Sequence, residues 1–171
     1  MKKSRLLSLA IVVLLCFGLL AGCSGKTQGS DAPIKVGILG CHTGEYAVYG
    51  LGVMNGAELY IKQLNEKGGI NGKQIELIIL DNKADNTEAI TAFNRMVDEG
   101  ITALIGDVLT GNTLAVVAEA YPINMPMITA SATAAEVTYD PESDTVYSNV
   151  FRTCFIDPFK GEKMAQFAAE V

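Results

Sequence analysis

Short apolar runs alternate with amphipathic stretches along residues 33–171, and this alternation constrains the fold more than any other feature of the sequence. An apolar run is typical of a strand buried on both faces, and an amphipathic stretch is typical of a helix lying on a sheet. Their repetition predicts an α/β fold with a doubly wound parallel sheet and right-handed crossovers. The predicted strands are 34–40, 74–80, 103–106, 127–130 and 150–155, the predicted helices are 51–67, 85–99, 110–121 and 158–171, and a polar loop is predicted over 138–148.

In such a sheet, ligands bind beyond the carboxyl ends of the strands, where the strand order reverses. This rule selects the loops 41–50, 107–112 and 131–133. Thr110 and Asn112 stand at the start of a helix, where free N–H groups and a partial positive charge favour a carboxylate or a phosphate. Simple helix capping is the alternative role for these two residues.

The other two loops carry hydroxyl and aromatic groups. Ser131 and Thr133 follow the fourth strand, where they could hold a small polar ligand or cap a turn. Tyr46 and Tyr49 could cover a ligand with aromatic surface or take part in ordinary packing.

The N-terminus has the pattern of an export signal. Lys2, Lys3 and Arg5 precede the apolar run 6–20, which is short for a membrane-spanning helix, although a membrane anchor remains an alternative. The tetrad at 20–23 (LAGC) resembles the lipobox of bacterial lipoproteins, which implies that residues 1–22 are removed and Cys23 is diacylated. Residues 23–32 then form a flexible, Gly-rich tether.

Charge and chemistry exclude several function classes. The 171 residues carry 13 basic and 19 acidic side chains, a net charge of −6 that disfavours nucleic-acid binding. Removal of the three basic residues with the signal leaves 10 against 19, a net charge of −9. His42 has no evident nucleophile partner, and no nucleophile elbow or Walker motif occurs. The spacing of Cys41 and Cys154 fits no zinc site; an exported protein could join them in a disulfide or keep them as free thiols.

An ordered series of segments resembles the N-terminal lobe of the branched-chain amino acid (leucine/isoleucine/valine) type of ABC-transporter substrate-binding protein. The resemblance covers nearly all of residues 33–171 and implies a Rossmann-like lobe of the type I periplasmic binding protein fold, closing with a second lobe over a ligand. The matching segments are 34–38 (IKVGI), 43–50 (TGEYAVYG), 55–58 (NGAE), 65–72 (NEKGGING), 99–100 (EG), 105–106 (IG), 128–133 (ITASAT) and 151–153 (FRT).

The resemblance assigns four ligand-binding residues. Thr110 matches a Ser or Thr whose N–H and hydroxyl meet the ligand carboxylate, and the Ser131 carbonyl matches the acceptor for the ligand amine. Thr133 matches a Thr that contacts the ligand head group, and Tyr49 matches the aromatic residue of the first loop.

Two departures from the family pattern stand out. A disulfide of the leucine-type members is absent, because its positions are occupied by Ala84 and Leu109. We expect Cys41 and Cys154 to be free thiols, since the predicted sheet order separates them. The sequence ends at Val171 within the predicted helix that should lead towards the second lobe, so we expect an N-terminal lobe truncated before that lobe.

The resemblance implies an extracytoplasmic solute-binding receptor of an ABC importer that captures an amino acid, branched-chain by resemblance, or a similar small carboxylate. The implied partners are this ligand, permease subunits and, through Cys23, the outer face of the cytoplasmic membrane; a periplasmic location is the alternative. No cofactor or metal is implied. An extracellular ligand-sensing lobe of a signalling receptor and an exported α/β enzyme are the competing hypotheses, and no catalytic set supports the enzyme.

Overall fold

The computed structural model describes residues 32–170, and the predicted signal peptide, Cys23 and nearly all of the tether lie outside them. The elements alternate as the sequence predicts. They are β1 (Ile34–Gly40), α1 (Ala47–Glu66), β2 (Ile75–Asp81), α2 (Asn86–Asp98), β3 (Ala103–Ile105), α3 (Thr110–Ala120), β4 (Met127–Thr129), a 3₁₀ turn (Ala135–Val137), β5 (Tyr139–Asp140), β6 (Thr145–Val146), β7 (Val150–Arg152) and α4 (Asp157–Glu170).

Five strands form one parallel sheet in the order β2-β1-β3-β4-β7. Ile38 of β1 lies opposite Ile79 of β2 on one side and Ile105 of β3 on the other. The chain crosses from β1 outward to β2 and from β3 outward to β4, so right-handed crossovers place α1 on one face of the sheet and α3 on the other. The predicted doubly wound α/β fold is confirmed, and its switch point lies between β1 and β3.

The apolar core lies between the sheet and the helices α2 and α3, which cover one of its faces. α2 buries Ala89, Phe93 and Met96 at the three-to-four spacing of an amphipathic helix. Each large apolar side chain removed from water stabilises the fold by roughly 1.5–3 kcal/mol. The neighbouring core residues are Leu39 on β1, Leu104 on β3, Val116 and Val117 on α3, and Met127 on β4.

Helix starts follow the local chemistry in one case and depart from it in another. Asp85 caps α2, its Oδ1 accepting the backbone N–H of Glu88, as the capping-box spacing predicts. α1 begins at Ala47, four residues before the predicted start at 51. The boundary prediction was wrong because Gly50 was interpreted as the last residue of the loop, although it lies inside the helix.

The predicted polar loop 138–148 was wrong. It contains the antiparallel hairpin β5–β6, which begins two residues after the buried Val137. The Tyr147 ring packs against Tyr121, with 4.7 Å between the ring centroids. The sequence pattern did not reveal this hairpin, because its strands lie at the protein surface and are largely polar. The strand predicted over 150–155 ends at Arg152. That prediction extended too far because Phe155 is apolar, although 53% of its surface is exposed.

Both cysteines in the described part of the chain are free thiols. Cys41 follows β1 and Cys154 follows β7, and β3 and β4 lie between those strands in the sheet. Within residues 32–170, no helix combines the length and the apolar character needed to cross a membrane.

We predict that Gly50→Ala destabilises the protein by at least about 2 kcal/mol, because a Cβ on Gly50 would collide with the backbone carbonyl of Cys41. Gly52→Ala is the matched control in the same helix. No atom lies within 4 Å of a Cβ at Gly52, so this substitution should stabilise by about 0.5–1 kcal/mol through helix propensity. Urea unfolding of both variants measures the difference, and equal effects would contradict the close approach of α1 to β1.

Candidate functional site

A cavity of about 280 Å³ opens at the carboxyl ends of β3 and β4. It lies where the switch-point rule expects a ligand, and the structure brings all four predicted site residues to its wall. The lining residues are Tyr49, Val108, Leu109, Thr110, Ser131 and Thr133.

The N-terminus of α3 forms the polar end of this cavity. Leu109 is the residue before the helix, with extended backbone angles and no side chain that accepts a hydrogen bond from the first turn. Thr110 is therefore the first helical residue rather than a cap, and Asn112 is buried with its amide donating to Asn86 Oδ1 at 2.9 Å. The first N–H groups of α3 lack intrahelical acceptors, which leaves a partial positive charge at the cavity.

The loop after β4 is tied to the loop after β3. Ser131 Oγ donates to the carbonyl of Val108 at 2.7 Å, so the two cavity walls are joined directly. The hydroxyl of Thr133 donates to Asp157 Oδ2 at 2.8 Å, which links the cavity to the first residue of α4. Asp157 was not among the predicted site residues.

Tyr49 forms the aromatic rim. It lies in the first turn of α1, and 59% of its surface is exposed, so the ring is available to a ligand. Tyr46 is also exposed but does not line the cavity.

Behind the cavity, Asp107 is a buried carboxylate with 0% exposure. One oxygen accepts the N–H of Val108 at 2.5 Å and the other accepts the side-chain amide of Asn82. The Asp107 carbonyl accepts the hydroxyl of Thr129 at 2.6 Å. Burial raises the pKa of Asp107 to about 6, although hydrogen bonds from Val108, Asn82 and Leu109 oppose the shift. Sequence analysis missed this residue, because only the fold shows that its side chain points inward.

Asp81 holds the loop after β1. Its carboxylate accepts the backbone N–H groups of His42 and Lys83, each at 2.8 Å, and the hydroxyl of Thr43 at 2.5 Å. Burial opposes ionisation of Asp81, but these hydrogen bonds outweigh it and hold its pKa below the ordinary value. Asp81 is thus a loop-capping residue.

Arg152 holds the loop that carries Ser131 and Thr133. Its guanidinium donates to four uncharged acceptors, a geometry that the planar five-donor fork of Arg permits. These acceptors are the carbonyls of Ala132 at 3.3 Å, Ala134 at 2.6 Å and Ala135 at 3.0 Å, and the hydroxyl of Thr138 at 2.6 Å.

A larger cavity, of about 730 Å³, lies between α1 and the edge strand β2. Its wall includes Glu58, Lys62 and Ile75, and it contains none of the predicted site residues. It lies along the side of the sheet rather than at the carboxyl ends, so we assign the functional site to the smaller cavity.

Comparison with known proteins identifies the family. The family model described as periplasmic binding protein matches residues 33–171, which is most of the chain. The chain belongs to this periplasmic binding protein family. The match covers the five-stranded sheet and its helices, and the family is one of solute-binding proteins.

Individual periplasmic binding proteins show the same relationship. The leucine-, isoleucine-, valine-, threonine- and alanine-binding protein of Pseudomonas aeruginosa is 33% identical over 151 residues, 88% of this chain and 39% of the relative. The chain therefore spans about two fifths of that relative's length.

Two solved structures extend the comparison. The leucine-binding protein LivK of Thermotoga maritima matches with a TM-score of 0.69 and 34% identity, over 79% of this chain and 36% of the other. The branched-chain amino acid transporter substrate-binding protein LivJ of Streptococcus pneumoniae, in complex with isoleucine, matches with a TM-score of 0.66 and 33% identity, over 73% and 34%.

We predict that Arg152→Lys destabilises the protein by about 1–3 kcal/mol, because an ammonium group cannot reach four acceptors arranged around a planar fork. Arg95→Lys is the control, since Arg95 is exposed and pairs with Glu99 on the surface of α2. That substitution should change the free energy of unfolding by less than about 0.5 kcal/mol. Thermal and urea unfolding measure both, and an equally small effect at Arg152 would show that the loop does not depend on it.

Proposed function

We propose that the chain is the N-terminal lobe of a solute-binding receptor of an ABC importer, and that it captures an amino acid of the branched-chain type. The observation that carries the proposal is the uncapped N-terminus of α3, which shares one cavity with Ser131, Thr133 and Tyr49. Helix N-termini favour carboxylates, and every free amino acid carries one.

The proposed binding mode divides the ligand between the cavity walls. The ligand carboxylate accepts hydrogen bonds from the N–H and hydroxyl of Thr110, and the ligand amine donates to the carbonyl of Ser131. Thr133 contacts the same head group, and the Tyr49 ring covers it. Contacts to the ligand side chain come from a second lobe, which closes over the first by a hinge motion.

Capture without turnover fits this chemistry. The proposed site offers hydrogen-bond donors, an acceptor carbonyl and an aromatic rim, which bind and orient a ligand. The relatives named above bind amino acids according to their names, which supports a receptor rather than an enzyme.

Location follows from the N-terminal residues, which lie outside the described part of the chain. We propose that residues 1–22 direct export and are removed, that Cys23 is lipidated, and that residues 23–32 tether the lobe to the outer face of the cytoplasmic membrane. There the receptor delivers its ligand to the permease subunits of the importer. Two acyl chains suffice for stable anchoring, at about 0.8 kcal/mol per buried CH₂ group.

We predict that calorimetric titration of the intact protein detects binding of leucine, isoleucine or valine and none of isoamylamine, which is leucine without its carboxylate. Thr110→Val should raise the Kd by about tenfold or more, because it removes a hydrogen bond to a charged group. Thr91→Val is the control, since the Thr91 hydroxyl bonds only to the Thr87 carbonyl on α2. Failure to bind any amino acid would refute the proposed ligand class.

We predict that Cys23→Ala releases the protein from the membrane fraction and abolishes incorporation of labelled palmitate. Cys16→Ala is the control, because Cys16 lies in the segment that is removed with the signal. Equal labelling of the Cys23→Ala variant and the wild type would contradict lipidation at Cys23.

A further inference from the structure

Asp107 lies directly behind the proposed carboxylate site. The two residues that follow it, Val108 and Leu109, line the cavity, and the backbone N–H of Val108 bonds to the Asp107 carboxylate at 2.5 Å. The loop that leads into α3 therefore winds around a buried acid. The Asp107 side chain is fully enclosed, so a ligand cannot touch it.

This arrangement places two carboxylates at one helix N-terminus when a ligand is bound. The partial positive charge of the first turn of α3 attracts both. If Asp107 is ionised, it neutralises part of that charge and repels the ligand carboxylate. If Asp107 is neutral, the partial positive charge at the helix N-terminus acts on the ligand carboxylate alone.

We propose that Asp107 is a positioning residue of the ligand site, and that its protonation strengthens the binding of a ligand carboxylate. The proposal rests on the proposed function, because it requires an anionic group at Thr110. Asp107 acts by holding the loop at Val108 and Leu109 in shape and by setting the charge behind that loop, and it does not contact the ligand.

Among the described residues, no cation near Asp107 compensates its negative charge. At the end of β1 lies the Cys41 thiol, whose pKa is raised by burial and by the charge of Asp107. From the end of β2 comes the neutral Asn82, with Asp81 beside it in sequence, and the first turn of α3 holds no acidic residue. The pKa of His42, next to Cys41, is lowered by burial. Thr129, at the end of β4, is uncharged.

The direction of the pH effect follows from linkage. The pKa of Asp107 is raised by burial to about 6, and a ligand carboxylate raises it further. A group that binds protons more tightly in the complex than in the free protein makes binding tighter at low pH. The Kd should therefore fall as the pH falls towards about 6 and level off below it.

Exchanging Asn82 and Asp107 separates charge from hydrogen bonding. In the double variant N82D/D107N, the amide introduced at position 107 accepts the Val108 N–H through its oxygen and donates to the carboxylate introduced at position 82. That carboxylate also accepts the N–H of Ala84, which in the wild type is accepted by Asn82 Oδ1 at 2.9 Å. The double variant keeps the number of hydrogen bonds and moves the negative charge away from α3.

The test is calorimetric titration of leucine into the intact protein between about pH 5 and about pH 8, for wild type, D107N and N82D/D107N. For the wild type we expect the Kd to fall by about tenfold from the high end of this pH range to the low end. This change corresponds to a rise of about one unit in the pKa of Asp107 when leucine binds. For the double variant we expect a Kd that varies less than about twofold with pH and is lower than the wild-type value near pH 8. Circular dichroism shows whether each variant is folded, so the double variant keeps the test decisive if D107N unfolds.

The outcomes distinguish this proposal from the proposed function. Leucine binding with a wild-type Kd that does not vary with pH overturns the role of Asp107 and leaves the receptor function intact. A pH dependence as large as that of the wild type that survives in the double variant overturns it too, because Asp107 is removed there, the carboxylate introduced at position 82 lies away from α3, and His42 is unchanged. A wild type that binds no amino acid at any pH overturns the receptor function, and this proposal with it.

Discussion

The parallel pairing of β1 with β3 positions the cavity that we propose as the ligand site. From this pair the chain leaves in opposite directions, to β2 on one side and to β4 on the other, so the loops after the two strands diverge. The crevice between them is bordered by Tyr49 and by the start of α3. The pairing depends on Gly106, which has a φ of +132° and passes so close to the Leu39 carbonyl that a Cβ would collide with it.

A buried polar network holds the crevice open in a fixed shape. The hydroxyl of Thr129 bonds to the Asp107 carbonyl, and the hydroxyl of Ser131 bonds to the Val108 carbonyl, so the loops after β3 and β4 are tied at two successive residues. Arg152 fixes the outer part of the second loop through neutral acceptors. A site whose groups are already held by neighbours loses little entropy when a ligand binds.

The fold could be predicted from the sequence to a large extent, because it depends on patterns along the chain. The apolar run at 34–40 and the cap at Asp85 are local signals, and both predictions are confirmed. The meeting of Tyr49, Thr110, Ser131 and Thr133 in one cavity follows from the switch-point rule together with the family resemblance. Their roles in ligand binding stay a prediction.

The remaining features depend on contacts between distant segments. Asn82 and Asp107 are 25 residues apart and meet only because β1, paired with both β2 and β3, brings their carboxyl ends together. The acceptors of Arg152 are backbone carbonyls, which no side-chain pattern reveals. The hairpin β5–β6 has two residues per strand, too few for alternation to be visible.

We propose that the N-terminus of α3 receives the carboxylate of a captured amino acid. A crystal structure of the intact protein with bound leucine tests this proposal. We expect a carboxylate oxygen about 2.7–3.2 Å from both the backbone nitrogen and the hydroxyl of Thr110, with the ligand amine at the Ser131 carbonyl. A leucine whose carboxylate lies away from Thr110, or that occupies the cavity between α1 and β2, would contradict it.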